Sequence, residues 1–285
     1  MKKLLLQFDT DSYPSVFDTV VGYDGGADHV IGYTNVTPAN VVKLVEGAIF
    51  TRAPRDKKNT AIFVGGSDLN AGQKVFNAIL NKYFANFRVS VMLDSNGSNT
   101  TAAAAVATIT KAVSVYDKQA VVLAGTGPVG QRAAIMLSKQ GANVSLTSRS
   151  MSRATQVCQA IRDQYGIEVK PVQAVDNTER SEAIRDAHII LASGAAGINL
   201  LDEQHWSTLS PLEILVDANA TPALGIQGVD MMDRGVSRHN KICWGAIGFG
   251  TLKLALHKAC ISRLFENNIT VLDAEQIYEI AVAMA

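Results

Sequence analysis

The chain has only three cysteines in 285 residues, and Cys158, Cys243 and Cys260 are far apart and form no Cys-x-x-Cys pattern. That excludes a disulfide framework and fits the reduced thiols of a cytoplasmic protein. Charge of either sign is not in excess: 26 basic residues balance 26 acidic ones. A protein gripping nucleic acid through a basic surface would carry a visible surplus, so no nucleic-acid partner is expected. No apolar run approaches the roughly 18 residues that a membrane span requires. The longest early run, Leu4-Leu5-Leu6, leads straight into Asp9 and Asp11, which reads as a first strand rather than a secretory leader. No His-Glu-x-x-His or Cys/His cluster occurs, and His29, His188, His205, His239 and His257 are scattered, so no metal is expected. Internal repeats and low-complexity linkers are missing as well.

What is present is an alternation of strand and helix signals. Strands are expected at 4–8, 29–33, 61–64 and 89–93. Helices are expected from 15 to 21 behind Pro14, from 38 to 49 behind the Thr37-Pro38 cap, and from 71 to 84. In the last of these, Val75, Phe76, Ile79, Leu80 and Tyr83 recur at helical spacing. The polar stretch Asp94-Ser95-Asn96-Gly97-Ser98-Asn99-Thr100-Thr101 interrupts the pattern as a loop before an alanine-rich helix at 102–113. A second series follows, with strands at 120–124, 144–147, 169–173, 188–191 and 214–217 and helices at 130–139, 152–165 and 179–185. A last strand is expected at 243–250, then helices at 251–265 and, capped by Asp273, at 274–283. The class is α/β in two domains: a smaller N-terminal α/β domain and a Rossmann-type doubly wound parallel sheet. The first is expected over 1–110, with the C-terminal helices from about 252 to 285 returning to it. The second spans 111–251.

The sharpest motif is Gly125-Thr126-Gly127-Pro128-Val129-Gly130, after the apolar run 120–124 and before a helix. It fits the Gly-x-Gly-x-x-Gly turn of dinucleotide-binding βα units, in which backbone approaches a pyrophosphate at a helix N-terminus. The end of the next strand distinguishes the coenzymes. An NAD site usually puts Asp or Glu there for the ribose hydroxyls. This chain has Ser148-Arg149-Ser150, with Arg153 one turn on and no carboxylate. Guanidinium forks suit a phosphate, and cations at a helix start are unfavourable unless an anion is near, so NADP is favoured over NAD. Three further segments leave strands at the same edge. They are Ser193-Gly194-Ala195, the turn at Asn219 and the glycine-rich stretch containing Gly248, where small side chains leave room for a flat ring. For each, a purely structural turn is the competing reading. General acid–base residues are few, and Lys253 is the cation nearest the last glycine turn.

Other motifs lie outside the generic nucleotide fold. They are Phe8-Asp9-Thr10-Asp11, Pro14-Ser15-Val16-Phe17-Asp18, Val21-Gly22-Tyr23-Asp24-Gly25-Gly26-Ala27-Asp28-His29, the 94–101 stretch and Leu252-Lys253-Leu254-Ala255-Leu256-His257. With the glycine turn they resemble, essentially end to end, the NADP-dependent methylene-tetrahydromethanopterin dehydrogenases of methylotrophic bacteria. The resemblance implies hydride transfer from the methylene bridge of a reduced pterin to NADP, with methylene-tetrahydrofolate as a further substrate. It implies a cytoplasmic role in formaldehyde and one-carbon metabolism, and a homo-oligomer such as a trimer. The pterin would enter a cleft between the domains. Asp24, Asn96, Gly97, Ser98, Asn99, Thr100, Thr101, Lys253 and His257 are its expected contacts, with Lys253 as a positioning residue and Asp94 a second catalytic candidate. Coenzyme choice is not fixed by membership, because one relative uses NAD as readily, and the 148–150 segment departs from other members after Arg149.

Two other enzymes and one non-enzyme remain as alternatives. A folate-specific dehydrogenase–cyclohydrolase carries a Tyr-x-x-x-Lys pair, but here Tyr13, Tyr23 and Tyr33 are followed at that spacing by Phe17, Ala27 and Thr37. A shikimate-type dehydrogenase needs a base, and no Lys–Asp pair stands out. A non-catalytic NADP-sensing protein needs only the nucleotide turn.

Overall fold

The computed structural model describes all 285 residues. In chain order the first elements are β1 (Leu4–Asp9), α1 (Val16–Asp24), β2 (His29–Tyr33), α2 (Val41–Phe50), β3 (Thr60–Gly65), α3 (Leu69–Lys82), β4 (Ser90–Leu93) and α4 (Ser98–Ala112). Next come β5 (Gln119–Leu123), α5 (Pro128–Lys139), β6 (Asn143–Ser148), α6 (Met151–Tyr165), β7 (Lys170–Gln173), α7 (Asn177–Ala183) and β8 (Ile189–Ala192). The chain ends with α8 (Glu203–Trp206), β9 (Ile214–Asp217), β10 (Arg234–Arg238), β11 (Lys241–Trp244), α9 (Ala246–Arg263), β12 (Val271–Leu272) and α10 (Ala274–Met284). Two compact units result, one of residues 1–100 with 254–280 and one of residues 101–253.

The first unit holds a five-stranded sheet in the order β12-β4-β3-β1-β2, parallel throughout. Every residue of β3 and β4 is buried, the near-continuous apolar reading expected of parallel strands covered on both faces. Phe8, Ile62, Val64, Val91 and Leu93 meet Val41, Val45 and Ile49 of α2 and Val75, Phe76 and Ile79 of α3. Each such buried side chain contributes about 1.5–3 kcal/mol. Strand order reverses between β1 and β3, so the crevice for a ligand lies outside Asp9 and Gly65. The second unit holds seven strands in the order β10-β11-β9-β8-β5-β6-β7, parallel except for the β10–β11 hairpin. Its reversal lies between β5 and β8, where the glycine turn leaves the sheet. Trp206 is fully buried in the core of this unit and donates through Nε1 to the Gln227 carbonyl at 2.9 Å.

The α/β, doubly wound expectation matches this architecture, while three local expectations are corrected and one strand is additional. The helix expected at 38 starts at Val41, because Asn40 Oδ1 accepts from the Thr37 N–H and its own N–H bonds back to Thr37, closing a turn there. The 94–101 stretch is not all loop: Ser95–Gly97 forms a 3₁₀ turn and α4 begins at Ser98. The strand expected at 243–250 ends at Trp244, and the following glycines belong to the start of α9. Finally, β10 was not anticipated. His239 and Asn240 both take positive φ at its hairpin turn, a role more often signalled by glycine.

Candidate functional site

In the second unit the glycine turn supplies three different environments. A Cβ on Gly125 would lie 2.8 Å from Leu146 and Val122, and one on Gly130 would lie 2.5 Å from the Gly125 Cα, so both are closed by packing. Gly127 faces open space, with nothing within 4 Å of a Cβ there. It is the residue before α5, makes no side-chain cap, and is followed by Pro128 at the first helical position, with Val129 behind it. The free N–H groups of that first turn therefore face a space that admits an anion. Ala124 enters the turn at a positive φ of 51°, and Thr147 Oγ1 accepts its N–H at 2.9 Å.

Beside the turn lies a cavity of about 640 Å³, lined by Thr126, Ser148, Arg149, Ser150, Arg153, Ala195 and residues that sequence reading passed over: Thr147, Ala174, Val175, Arg180, Ile198 and Leu200. Ser150 caps α6 by accepting the Arg153 N–H, and Ser148 Oγ accepts the Ser150 N–H, each at 3.3 Å. These bonds fix the turn from which Arg149 and Arg153 project, and both arginines are exposed. The cavity gathers three guanidinium groups with the hydroxyls of Thr126, Thr147, Ser148 and Ser150. The residues present fit an adenosine carrying an extra phosphate. Arg180 could have been found by the argument applied to Arg153, since it too is a cation in the helix that follows a strand end at this edge.

The remaining segments at this edge are placed less uniformly. Ser193 donates to the Leu123 carbonyl at 3.4 Å, beside the close contact of Gly125 with Gly130. A Cβ on Gly194 would meet Leu200. Asn219 is buried and braces its own loop, bonding Ala223, Thr221 and Asp217. Burial pushes the Asp217 carboxyl above its ordinary value, against backbone N–H groups from Asn219, Ile226 and Gly225 that favour its ionised form. Gly248 is required by packing. A Cβ there would lie 1.8 Å from the Asp233 carbonyl, so the glycine serves the packing of α9 on the β10 approach. Open space lies instead at Gly250.

In the first unit, three loops meet at the carboxyl edge of the sheet. The Asp9 carboxylate accepts the N–H groups of Asp11 and Ser15, and the Asp11 carboxylate accepts the N–H and hydroxyl of Ser67. The Asn96 N–H donates to the Gly66 carbonyl at 2.7 Å. Asp94 is fully buried and its oxygens are used by α4: Oδ1 accepts from Asn99 N and Thr100 N, and Oδ2 accepts the Thr100 hydroxyl at 2.6 Å. It is a helix cap, which corrects its candidacy as a group facing substrate. Ser98, Asn99 and Thr100 are likewise buried on internal partners, namely the Ser95, Leu93 and Gly97 carbonyls and Asp273. Their expected contact with a ligand is corrected for the same reason. Asn96, Gly97 and Thr101 reach solvent.

Asp24 is also corrected. It closes α1, about 13 Å along the helix from its Ser15 end at this edge, and pairs with Lys258 at 2.7 Å. The chain just beyond it bonds the Lys3 carbonyl at the opposite end of β1. Lys253 and His257 are one turn apart on α9 and share a face. His257 is fully buried, stacked on Phe63 at 5.5 Å, with Nδ1 3.9 Å from Asp94 Oδ2. The half-exposed ring of Phe17 lies 6.1 Å from the imidazole, so an incoming ring would meet Phe17 before His257.

Comparison with known proteins bears on both units. The family model "Methylene-tetrahydromethanopterin dehydrogenase, N-terminal" matches residues 16–96, and "Shikimate / quinate 5-dehydrogenase" matches residues 107–220. The bifunctional protein MdtA of Methylorubrum extorquens is 52% identical over 286 residues, covering 100% of this chain and 99% of the relative. The chain belongs to the methylene-tetrahydromethanopterin dehydrogenase family. A second member from the same organism, an NAD(P)-dependent methylenetetrahydromethanopterin dehydrogenase, is 29% identical over 281 residues, 95% of each chain. Among solved structures, a shikimate 5-dehydrogenase from Mycobacterium fortuitum shares the fold at 12% identity, with a TM-score of 0.52 over 98% of this chain and 97% of that one. No helix of this family member is long and apolar enough to cross a membrane.

Proposed function

We propose that this chain is an NADP-dependent dehydrogenase that converts methylene-tetrahydromethanopterin to its methenyl form and also accepts methylene-tetrahydrofolate. The observation that carries the reading is the end-to-end 52% identity to MdtA, which spans both the unit with the three-arginine cavity and the unit matched by the family's N-terminal model. In this reading the first turn of α5 binds the pyrophosphate, and Ser148, Arg149, Ser150 and Arg153 take the adenosine with its 2′-phosphate. NADP, when bound, supplies a hydride acceptor at its nicotinamide ring. The carboxyl edge of the first unit receives the reduced pterin, with Phe17, Asn96 and Gly97 reaching solvent there, and Lys253 is the positioning residue that the family resemblance implies. His257 backs Phe17 from beneath.

The chemistry asks little of acids and bases. The bridge carbon lies between two nitrogens whose lone pairs expel the hydride and spread the resulting positive charge. No O–H or N–H proton has to leave, so the work of the chain is to hold two rings in contact and in line, which can be worth several kcal/mol. Lys253, a cation, suits a ligand carbonyl better than the forming methenyl group. The cytoplasm, a homo-oligomer and a place in formaldehyde oxidation belong to the same proposal and rest on the family relationship.

The test follows reduced-coenzyme absorbance as purified protein meets each methylene-pterin with NADP and with NAD. Turnover is expected with NADP and the methanopterin substrate, and at a lower rate with the folate. No conversion of the methenyl product is expected, since the Tyr-x-x-x-Lys pair of cyclohydrolases is missing. Binding of NADP without turnover of either pterin would defeat the dehydrogenase reading and leave a coenzyme sensor.

A further inference from the structure

We propose that Arg180 is a third, pre-positioned cation for the 2′-phosphate of NADP, and so a coenzyme-specificity residue beside Arg149 and Arg153. This rests on the NADP reading above and adds a residue from α7, which follows a different strand. The guanidinium is fixed before any ligand arrives. One terminal nitrogen donates to the Val175 carbonyl at 2.7 Å and the other to the Leu200 carbonyl at 3.1 Å. Val175 and Leu200 both line the cavity, so the side chain ties two of its walls together. A guanidinium carries five N–H donors, and these two bonds leave the others for a phosphate oxygen.

Charge makes the same point. Arg149, Arg153 and Arg180 line one cavity, and none of the three has a carboxylate within ion-pair distance, although Arg162 and Arg238 elsewhere on this unit do. The nearest acids to Arg180 are committed to α7 itself. Asp176 Oδ1 caps the helix through the Glu179 N–H, and Glu179 Oε2 accepts the Val175 N–H, so neither closes on the guanidinium. Burial chiefly lowers the tendency of Arg180 to stay protonated, and the charge of Arg149 lowers it further, while Asp176 and Glu179 oppose both. Three cations that line one cavity with no carboxylate in ion-pair contact are relieved by a dianion. The 2′-phosphate is the dianion that distinguishes NADP from NAD.

A brace and a phosphate contact predict different losses, so calorimetric Kd values for NADP and NAD separate them. They are measured on the wild type, Arg180→Gln, Arg180→Lys and Arg149→Gln, with thermal unfolding confirming that each variant is folded. Arg180→Gln is expected to weaken NADP by about tenfold or more, the scale of one charge-assisted bond, and to leave NAD within about twofold. Arg180→Lys should recover part of the loss, and raising salt should shrink the gap between variant and wild type. An equal loss for NADP and NAD would reduce Arg180 to a wall brace and overturn the proposal, as would no loss for either. If the wild type itself binds NADP no better than NAD, the NADP reading falls with it. Loss of selectivity in Arg149→Gln alone leaves that reading standing while Arg180 fails.

Discussion

Gly125, Gly127 and Gly130 read alike as letters of one motif and differ in what surrounds each Cα. A methyl group at Gly130 would press on the backbone of Gly125, whereas one at Gly127 would point into open space at an ordinary φ of −79°. Gly130→Ala is therefore expected to cost about 1–3 kcal/mol through overpacking. Gly127→Ala should change stability by no more than about 0.5 kcal/mol, yet weaken NADP binding, because the added carbon occupies the space meant for the pyrophosphate. Urea denaturation and calorimetric titration read the two effects separately, and unchanged NADP affinity in Gly127→Ala would remove the turn from the site. At this scale, what sequence could reveal was what spacing encodes. Arg149 and Arg153 are legible because they sit at a fixed offset from the glycine turn. Arg180 lies at no fixed offset from the glycine turn and is legible only as a cation in the helix after the next strand, while Phe17 is brought to its place by α1. Asp94 and Asp24 are acidic in an acid-seeking pattern, but burial and a lysine partner engage them elsewhere.

The polar stretch that opens α4 shows what an element can hide. Eight small polar residues in a row look like a flexible ligand loop. Here they are an Asp94 cap, a 3₁₀ turn at Ser95–Gly97 and the buried first turn of α4, where burial favours internal partners for the polar groups. Asp94 satisfies two orphan N–H groups and one hydroxyl at once. Asp94→Ala should cost about 2–4 kcal/mol, a lost cap together with buried unsatisfied donors. Asp94→Asn keeps Oδ1 as an acceptor and should cost less. If Asp94→Ala kept its denaturation midpoint and lost only turnover, the residue would act in chemistry after all. The long strands and helices were legible because burial on one or both faces writes a period into them. The β10–β11 hairpin was not, because β10 is an exposed edge strand with no apolar alternation. The two residues of β12 are too few to carry a period. The start of α9 was misread because Gly245 and Gly248, which look like a strand end or a loop, are required where the backbone of 230–233 presses close.

At the scale of the whole chain, each of the two parallel sheets has its own reversal of strand order and therefore its own ligand crevice. The second unit has its crevice at β5/β8 and the first at β1/β3. Two crevices on two units are the arrangement expected of a protein that binds a coenzyme and a second ring system. Binding then protects different amides in each case. Saturating NADP at 100 times its Kd adds about 2.7 kcal/mol to the stability of whatever unfolds with its site. In hydrogen-exchange mass spectrometry that protection should fall on 124–131, 147–153 and 174–180, with little at 10–18 or 94–101. A reduced pterin added to the NADP complex should then slow exchange at 10–18 and 94–101. The amides of Asn99 and Thr100, already held by Asp94, should exchange slowly from the outset and gain little. If pterin instead protected only the segments that NADP protects, the first unit would not be the pterin site. The assignment of the two ligands to the two units would then have to be abandoned, although membership of the family would stand.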